Sequence, residues 1–302
     1  MVRPGALLAQ TAGATGIAPV SCISIPSVTH DGALLHLMPE LPEVEYAAGI
    51  ARQAFVGQVI TAIRVLHRSQ RRGLPARAAR RIVGDRVLRI ERRGKYQLFR
   101  LTSGRTLVVH FRMTGDWVVL SPDEPVPAAA RVVLSGANGM RLALHDSRAL
   151  STVILAEPDA TLLEGLGPDA TDLAFSPSWL GDRLAKRRGP IKPALLDQGI
   201  VAGVGNIYAS EALWYARIDP STPASALGPA QLRRLVNAIR RVLRKALERP
   251  YRYYEEIGVS DTHRFKVYDR EGAPCRRCRK PIRRIVQAGR STYFCANCVR
   301  GL

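Results

Sequence analysis

Four of the five cysteines in this 302-residue chain fall within its last 28 residues, as Cys275-x2-Cys278-x16-Cys295-x2-Cys298. Each CxxC turn presents two sulfurs to one ion, so two pairs at this separation supply four soft thiolates to a tetrahedral Zn2+. Protein then fills all four positions, none is left for water, and the metal is structural. An iron site of the rubredoxin kind and free thiols are the alternatives. Between the pairs, Pro281–Val286 and Ser291–Phe294 read as the two strands of a hairpin. Cys22 stands alone near the start, so the pattern is a local metal site in a reducing compartment, not a disulfide scaffold.

The hairpin region carries Arg276, Arg277, Arg279, Lys280, Arg283, Arg284 and Arg290, and the whole chain shares its charge. It holds 45 Lys and Arg against 25 Asp and Glu, a net +20. A surface this basic favours a polyanion, either nucleic acid or an anionic membrane. No run of about 18 apolar residues occurs, which argues against a membrane span. Residues 1–37 take no part in the charge, because Arg3 and Asp31 cancel. Pro4, Pro19 and Pro26 break this segment, and it lacks both helical periodicity and the clean apolar stretch of a secretory signal. It is expected to be a disordered tail, or translated sequence upstream of a true start at Met38.

From Met38 the chain becomes patterned. Pro42 opens a helix in which Val44, Ala47, Ala48, Ala51 and Phe55 recur at helical spacing. Eight short apolar-rich segments follow, at Val59–Val65, Val87–Ile90, Tyr96–Leu101, Thr106–Val109, Val118–Leu120, Arg131–Leu134, Arg141–Leu144 and Val153–Leu155. So many short strands within about 100 residues predict a β-sandwich or barrel. Beyond Gly167 the pattern turns helical, with candidates at Pro177–Ala185, Lys192–Leu195, Ile207–Tyr215 and Pro229–Leu247. The last has one apolar stripe, including Leu232, Leu235, Val236, Ile239, Val242 and Leu243, with arginines on its other faces that read as solvated. The expected fold is α+β and multidomain. It comprises an N-terminal β-sandwich at 38–168, a helical helix-two-turns-helix domain at 169–258 and a C-terminal β-hairpin zinc finger at 264–302, after the extension at 1–37.

Two further motifs bear on chemistry. Ala202-Gly203-Val204-Gly205-Asn206 precedes a helix, and its small residues let an anion approach exposed backbone N–H groups. A plain helix-entry turn is the competing reading. Met38-Pro39-Glu40-Leu41-Pro42-Glu43-Val44-Glu45 places acidic residues at the positive end of a helix. Taken with the cysteine pattern, these motifs resemble the formamidopyrimidine-DNA glycosylase family of bacterial base-excision repair. The resemblance runs from Met38 to the C-terminus. It also rests on Arg93-Gly94-Lys95-Tyr96, on His110-Phe111-Arg112-Met113-Thr114-Gly115, on Gly203–Leu213 and on Ser291–Cys298.

The resemblance implies a bifunctional glycosylase and abasic-site lyase that removes oxidised purines, formamidopyrimidine and 8-oxoguanine, and cleaves the strand by β,δ-elimination through a proline Schiff base. Pro39 would be the nucleophile once Met38 is removed, since α-amino groups titrate near pKa 8 and keep an unprotonated fraction. Glu40 would be the acid–base carboxylate. Glu43 matches a second acidic position, for which a dipole-complementing role competes. Lys95 would bind the phosphate beside the lesion and aid elimination, with His110, Asn206 and Arg290 completing the clamp. Met113, Arg148 and Leu150 would fill the void left by the flipped base, and Arg148 would bond the orphaned one. Arg131, Arg187 and Lys192 would be further basic DNA contacts. Zn2+ would sit on Cys275, Cys278, Cys295 and Cys298. The implied partner is damaged or abasic double-stranded DNA, the state a monomer, and the place the bacterial cytoplasm at the nucleoid.

Two departures stand out. The family's Asp-Pro-Arg-Arg-Phe-Gly reads Asp146-Ser147-Arg148-Ala149-Leu150-Ser151, so the aromatic wedge is an aliphatic one. The loop expected to cap 8-oxoguanine, Glu256–His263, is short. Two alternatives follow: an endonuclease VIII-like glycosylase for oxidised pyrimidines, against which Leu41-Pro42 speaks, and a non-catalytic DNA-binding protein if residues 1–37 are retained.

Overall fold

The strand-rich half folds into two four-stranded antiparallel sheets, ordered β1-β6-β7-β5 and β2-β3-β4-β8. The computed structural model describes residues 38–158, 161, 163–249 and 265–299; the segment 1–37 and the Glu256–His263 loop lie outside the described residues. The first sheet contains β1 (Ile60–Val65), β5 (Asp116–Leu120), β6 (Ala130–Gly136) and β7 (Arg141–His145). The second contains β2 (Val87–Arg93), β3 (Tyr96–Leu101), β4 (Thr106–His110) and β8 (Thr152–Ala156). Their inner faces meet in one core that includes Ile60, Val132, Leu142 and Leu144 from one sheet and Phe99, Leu101, Leu107 and Val109 from the other. The predicted sandwich is therefore present. Helix α1 (Leu41–Phe55) adds Val44, Ala47, Ala48, Ala51 and Phe55 to the same core, along the face that its spacing predicts.

The second core is helical. It gathers α3 (Pro177–Leu184), α4 (Ile191–Leu195), α5 (Asn206–Ala216) and α6 (Pro229–Glu248). The α6 stripe of Leu232, Leu235, Val236, Ile239, Val242 and Leu243 faces inward as expected. Its arginines are less free than a solvated face implies. Arg234 donates to the Ala216 carbonyl, Arg240 to the carbonyls of Asp172 and Phe175, and Arg241 lies over the Tyr215 ring. Helix α5 is buried nearly all round, which is why it shows no polar face. Leu41, although it begins α1, belongs to this helical core and so joins the two halves.

Between β1 and β2 lie elements not foreseen from sequence, a 3-10 turn at Arg68–Gln70 and α2 (Ala76–Arg80). At the far end, β9 (Arg283–Gln287) and β10 (Arg290–Phe294) form the expected antiparallel hairpin, with Arg290 opposite Gln287 at its tip. A final turn of helix, Ala296–Val299, follows the third cysteine.

Candidate active site

Pro39 and Glu40 are buried just before α1. One Glu40 carboxylate oxygen accepts the Gly205 and Tyr208 N–H groups at 2.8 and 3.3 Å, and the other accepts that of Ile207 at 2.8 Å. These are N–H groups at the start of α5, unpaired within the helix, at the positive end of its dipole. The Gly203-Val204-Gly205 turn is thus an anion site, and its anion is the chain's own carboxylate. Both glycines are required by proximity. A Cβ on Gly205 would lie 2.3 Å from Glu40 Cδ, and one on Gly203, whose φ is +100°, would lie 2.5 Å from Leu41 Cδ1. Glu43 accepts the Glu40 N–H at 3.0 Å and the Tyr208 hydroxyl at 2.5 Å, so it orients the segment.

Burial pushes the Glu40 pKa up to about 7; Glu43 adds to this, while Lys95 and the N–H groups of Ile207 and Tyr208 pull against it. A carboxyl poised there can both give and take a proton near neutrality. Lys95 sits in the tight β2–β3 turn and is also buried. Burial and the repulsion of Arg290 push its ammonium below the ordinary range against the attraction of Glu40 and Glu43. The turn is held by Asp169, which accepts the Gly94 N–H at 2.9 Å and pairs with Arg92 at 2.6 Å.

His110, at the end of β4, stacks edge-on to Tyr96 with 4.5 Å between ring centroids. Its Nδ1 accepts the Arg112 N–H at 2.9 Å, which leaves the ring proton on Nε2. Burial and the charges of Arg112 and Lys95 depress its pKa to about 3, so it is a neutral donor. Asn206 begins α5. Lys192 departs from its expectation as a DNA contact, because it is fully buried. Its Nζ reaches Asn206 Oδ1 at 2.5 Å, the Ser291 carbonyl at 2.8 Å and Thr292 Oγ1 at 2.8 Å. All three protons of the ammonium are spent on protein, and its work is to fasten Asn206 to the hairpin that carries Arg290. Arg290 itself is exposed, near enough to Lys95 and Lys192 to lower the pKa of both.

The expected void-filling residues stand on two loops. Met113 is half-buried in the turn after β4, while Arg148 and Leu150 are exposed on the loop between β7 and β8. Asp146, which is fully buried, ties the loops together. It accepts the Thr114 hydroxyl, the Arg148 N–H at 3.2 Å and the Ser151 N–H at 2.6 Å. Burial alone would raise its pKa, yet these donors hold it below the ordinary value. Arg131 braces the same loop by donating to the carbonyls of Asp146 at 2.7 Å and Ser147 at 3.3 Å. Arg187 is exposed and pairs with Asp197 at 2.8 Å.

The four cysteine sulfurs lie within 4.8 Å of one another, with Cys275 and Cys298 3.8 Å apart and Cys278 and Cys295 3.4 Å apart. A tetrahedron with Zn–S near 2.3 Å requires sulfurs about 3.8 Å apart, so the donor set fits one structural zinc. Trp214 at the end of α5 donates to Cys275 Sγ at 3.4 Å, and Arg277 lies 4.1 Å over its ring. The metal site is thereby anchored to the same helix whose first turn holds Glu40.

Sequence reasoning missed Asp146, Asp169 and Glu211 as organisers. Glu211 is buried and accepts the N–H groups of Lys266, Val267 and Tyr268 at 2.8–3.0 Å, setting the entry to the zinc module. Its signal was the single charged residue of its helix.

Comparison with known proteins gives matches over most of the chain. Residues 38–153 match the formamidopyrimidine-DNA glycosylase N-terminal domain, 166–254 the H2TH domain of that glycosylase, and 272–301 the zinc finger found in FPG and IleRS. The formamidopyrimidine-DNA glycosylase of Chloroflexus aurantiacus is 42% identical over 271 residues, covering 86% of this chain and 97% of that protein. The crystal structure of the MutM (Fpg) protein from Thermus thermophilus is similar with a TM-score of 0.75 at 36% identity, over 86% of this chain and 98% of that one. The Lactococcus lactis protein in complex with DNA containing FAPY-dG gives 0.79 at 30% identity, over 87% and 100%.

Proposed function

Because the chain belongs to the formamidopyrimidine-DNA glycosylase family, enzymes of base-excision DNA repair, we propose that it excises oxidised purines and then cuts the strand with the amine of Pro39. The carrying observation is the burial of Pro39 and Glu40, with Glu40 bound to the start of α5, where Asn206 lies, Lys95 near Glu40 and Arg290 near Lys95. The Pro39 nitrogen attacks the sugar's anomeric carbon as the bond to the damaged base breaks, and the proton that the nitrogen gives up goes to the departing base. Protonated Glu40 gives its proton to the ring oxygen, the ring opens, and an iminium forms between Pro39 and the sugar. That iminium is an electron sink. Loss of the adjacent sugar proton expels the 3′ phosphate, a second elimination expels the 5′ phosphate, and hydrolysis frees the amine.

Lys95, neutral His110, Asn206 and Arg290 hold the flanking phosphates, while Met113, Arg148 and Leu150 fill the vacated stack. Lys192 supports the clamp from beneath, Arg131 steadies the Arg148 loop, and Arg187 adds an outlying phosphate contact. The enzyme acts as a monomer in the bacterial cytoplasm, with working units at 38–168, 169–258 and 264–302. Residues 1–37 must be gone from the active form, because an acylated Pro39 has no lone pair to give. Protein beginning at Pro39, mixed with a duplex holding an abasic site opposite cytosine, is expected to be trapped covalently by borohydride. Chain retaining residues 1–37, or protein acetylated at Pro39, is expected not to be. Free-proline protein that binds this duplex but never traps overturns the lyase reading.

A further inference from the structure

Between Leu66 and Gly84 the chain has six arginines and no acidic residue. Among the described residues only Arg81 finds a carboxylate, that of Glu157 at 2.6 Å. Arg68, Arg71, Arg72, Arg77 and Arg80 are exposed and pair with no carboxylate among the described residues. The backbone beneath them is firmly held. Gln70 is buried, donates to the Ser151 carbonyl at 2.7 Å and accepts the Val153 N–H at 3.0 Å. Gly73 lies so close to β8 that a Cβ there would be 2.4 Å from the Val153 carbonyl oxygen. Leu66 N–H donates to the Arg131 carbonyl at 2.9 Å, and Leu74 and Ile82 are fully buried. Five like charges concentrated on an anchored segment repel one another unless an anion is near.

The sheet places this segment relative to Lys95 and His110. Tyr96, beside Lys95, pairs with His110, and His110 pairs with Thr152, next to the Ser151 and Val153 that hold Gln70. One row of groups therefore crosses the strand ends from Lys95 through His110 and the Arg148 loop to the arginine segment. Three steps of about 4.8 Å separate its ends, so roughly 15 Å. Phosphates that face each other across a minor groove about 6 Å wide lie on the order of 12 Å apart, centre to centre. We propose that Arg68, Arg71, Arg72, Arg77 and Arg80 form a second phosphate-binding surface that holds the undamaged strand of the duplex while the Lys95 group holds the damaged one. This rests on the repair reading given above.

The test is equilibrium binding of the full chain and of the Arg71→Gln/Arg72→Gln and Arg77→Gln/Arg80→Gln variants to a duplex with an abasic-site analogue opposite cytosine, from 50 to 200 mM salt. Each lost phosphate contact lowers the log–log salt slope by about 0.9. Each double variant is expected to lose about 1.8, so that the wild type weakens about 12-fold more than the variant across that fourfold range. Replacing phosphates of the undamaged strand by uncharged methylphosphonates is expected to weaken the wild type and not the variants. The damaged strand alone is expected to bind both alike. The proposal is overturned if the slope is unchanged, or if single strand and duplex lose affinity equally. A wild type that shows no preference for the abasic duplex refutes the repair reading instead. The substituted side chains are exposed, so thermal unfolding should coincide with the wild type and exclude misfolding as the cause.

Discussion

Glu40 is held nearly without solvent exposure and titrates near 7 where an ordinary glutamate titrates near 4.5. The folded state therefore binds this proton more tightly than the unfolded chain. Stability from this group is greatest below pH 4.5 and is lost as pH rises to 7, in total about 3 kcal/mol at about 1.4 kcal/mol per pH unit. Other carboxylates titrate in the same range, so the readable quantity is a difference. Urea unfolding of the wild type and of Glu40→Gln, measured at matched pH from 4.5 to 8, cancels every group whose titration does not depend on Glu40. The wild type is expected to fall relative to the variant by about 3 kcal/mol over that range, most of it above pH 5. Lys95→Met removes the ammonium that favours the ionised carboxyl, so in that background the fall should extend above pH 7. The variant has its own fixed penalty, because an amide has one acceptor oxygen for the three N–H groups of Gly205, Ile207 and Tyr208. That penalty does not depend on pH and does not enter the slope. A difference flat within about 0.5 kcal/mol from pH 5 to 8, or one that moves in favour of the wild type, would refute the reasoning and mean that the helix start and Lys95 outweigh burial.

Asp146→Asn keeps one acceptor but turns an amide group toward two N–H donors and a hydroxyl, and is expected to cost about 2–3 kcal/mol in chemical unfolding. It should also weaken binding to an abasic duplex more than to undamaged duplex, since the Met113 and Arg148 loops lose their common anchor. Lys192→Met leaves the Ser291 carbonyl, Thr292 Oγ1 and Asn206 Oδ1 without their donor and is expected to cost about 1–3 kcal/mol, seen as a lower urea midpoint. Chelation of zinc, followed by metal analysis and near-ultraviolet circular dichroism, should loosen the hairpin around Trp214 and abolish tight DNA binding while the β-sandwich stays folded.

Local signals carried much of the fold. The α6 stripe, the strand runs and the two CxxC turns each depend on residues a few positions apart, where periodicity and turn chemistry operate directly. The sequence of the Gly203–Asn206 turn admits both an anion site and a plain helix-entry turn, and its occupant was out of reach, since Glu40 lies 165 positions from Gly205. Lys192 reads as surface because Lys186, Arg187 and Arg188 precede it; its burial depends on acceptors in β10, about 100 positions away. Gln70 carries no mark in the sequence, and its value comes wholly from a partner strand 81 to 83 positions on. Helix α2 was within reach, because Ala-Arg-Ala-Ala-Arg after Pro75 has high intrinsic helix propensity.

The distance along the chain between Glu40 and its helix also sets a clock. Ribosomes add about 5–20 residues per second, so the 165 positions from Glu40 to Gly205 take on the order of 10–30 s to make. Throughout that interval the segment around Pro39 has been synthesised and its resting place has not. Afterwards Pro39 is enclosed. If this nitrogen must be freed, as the lyase proposal requires, a peptidase would meet an open peptide during synthesis and an enclosed one afterwards, so trimming would compete with folding, and slower elongation between codons 40 and 205 would lengthen the time in which it could win.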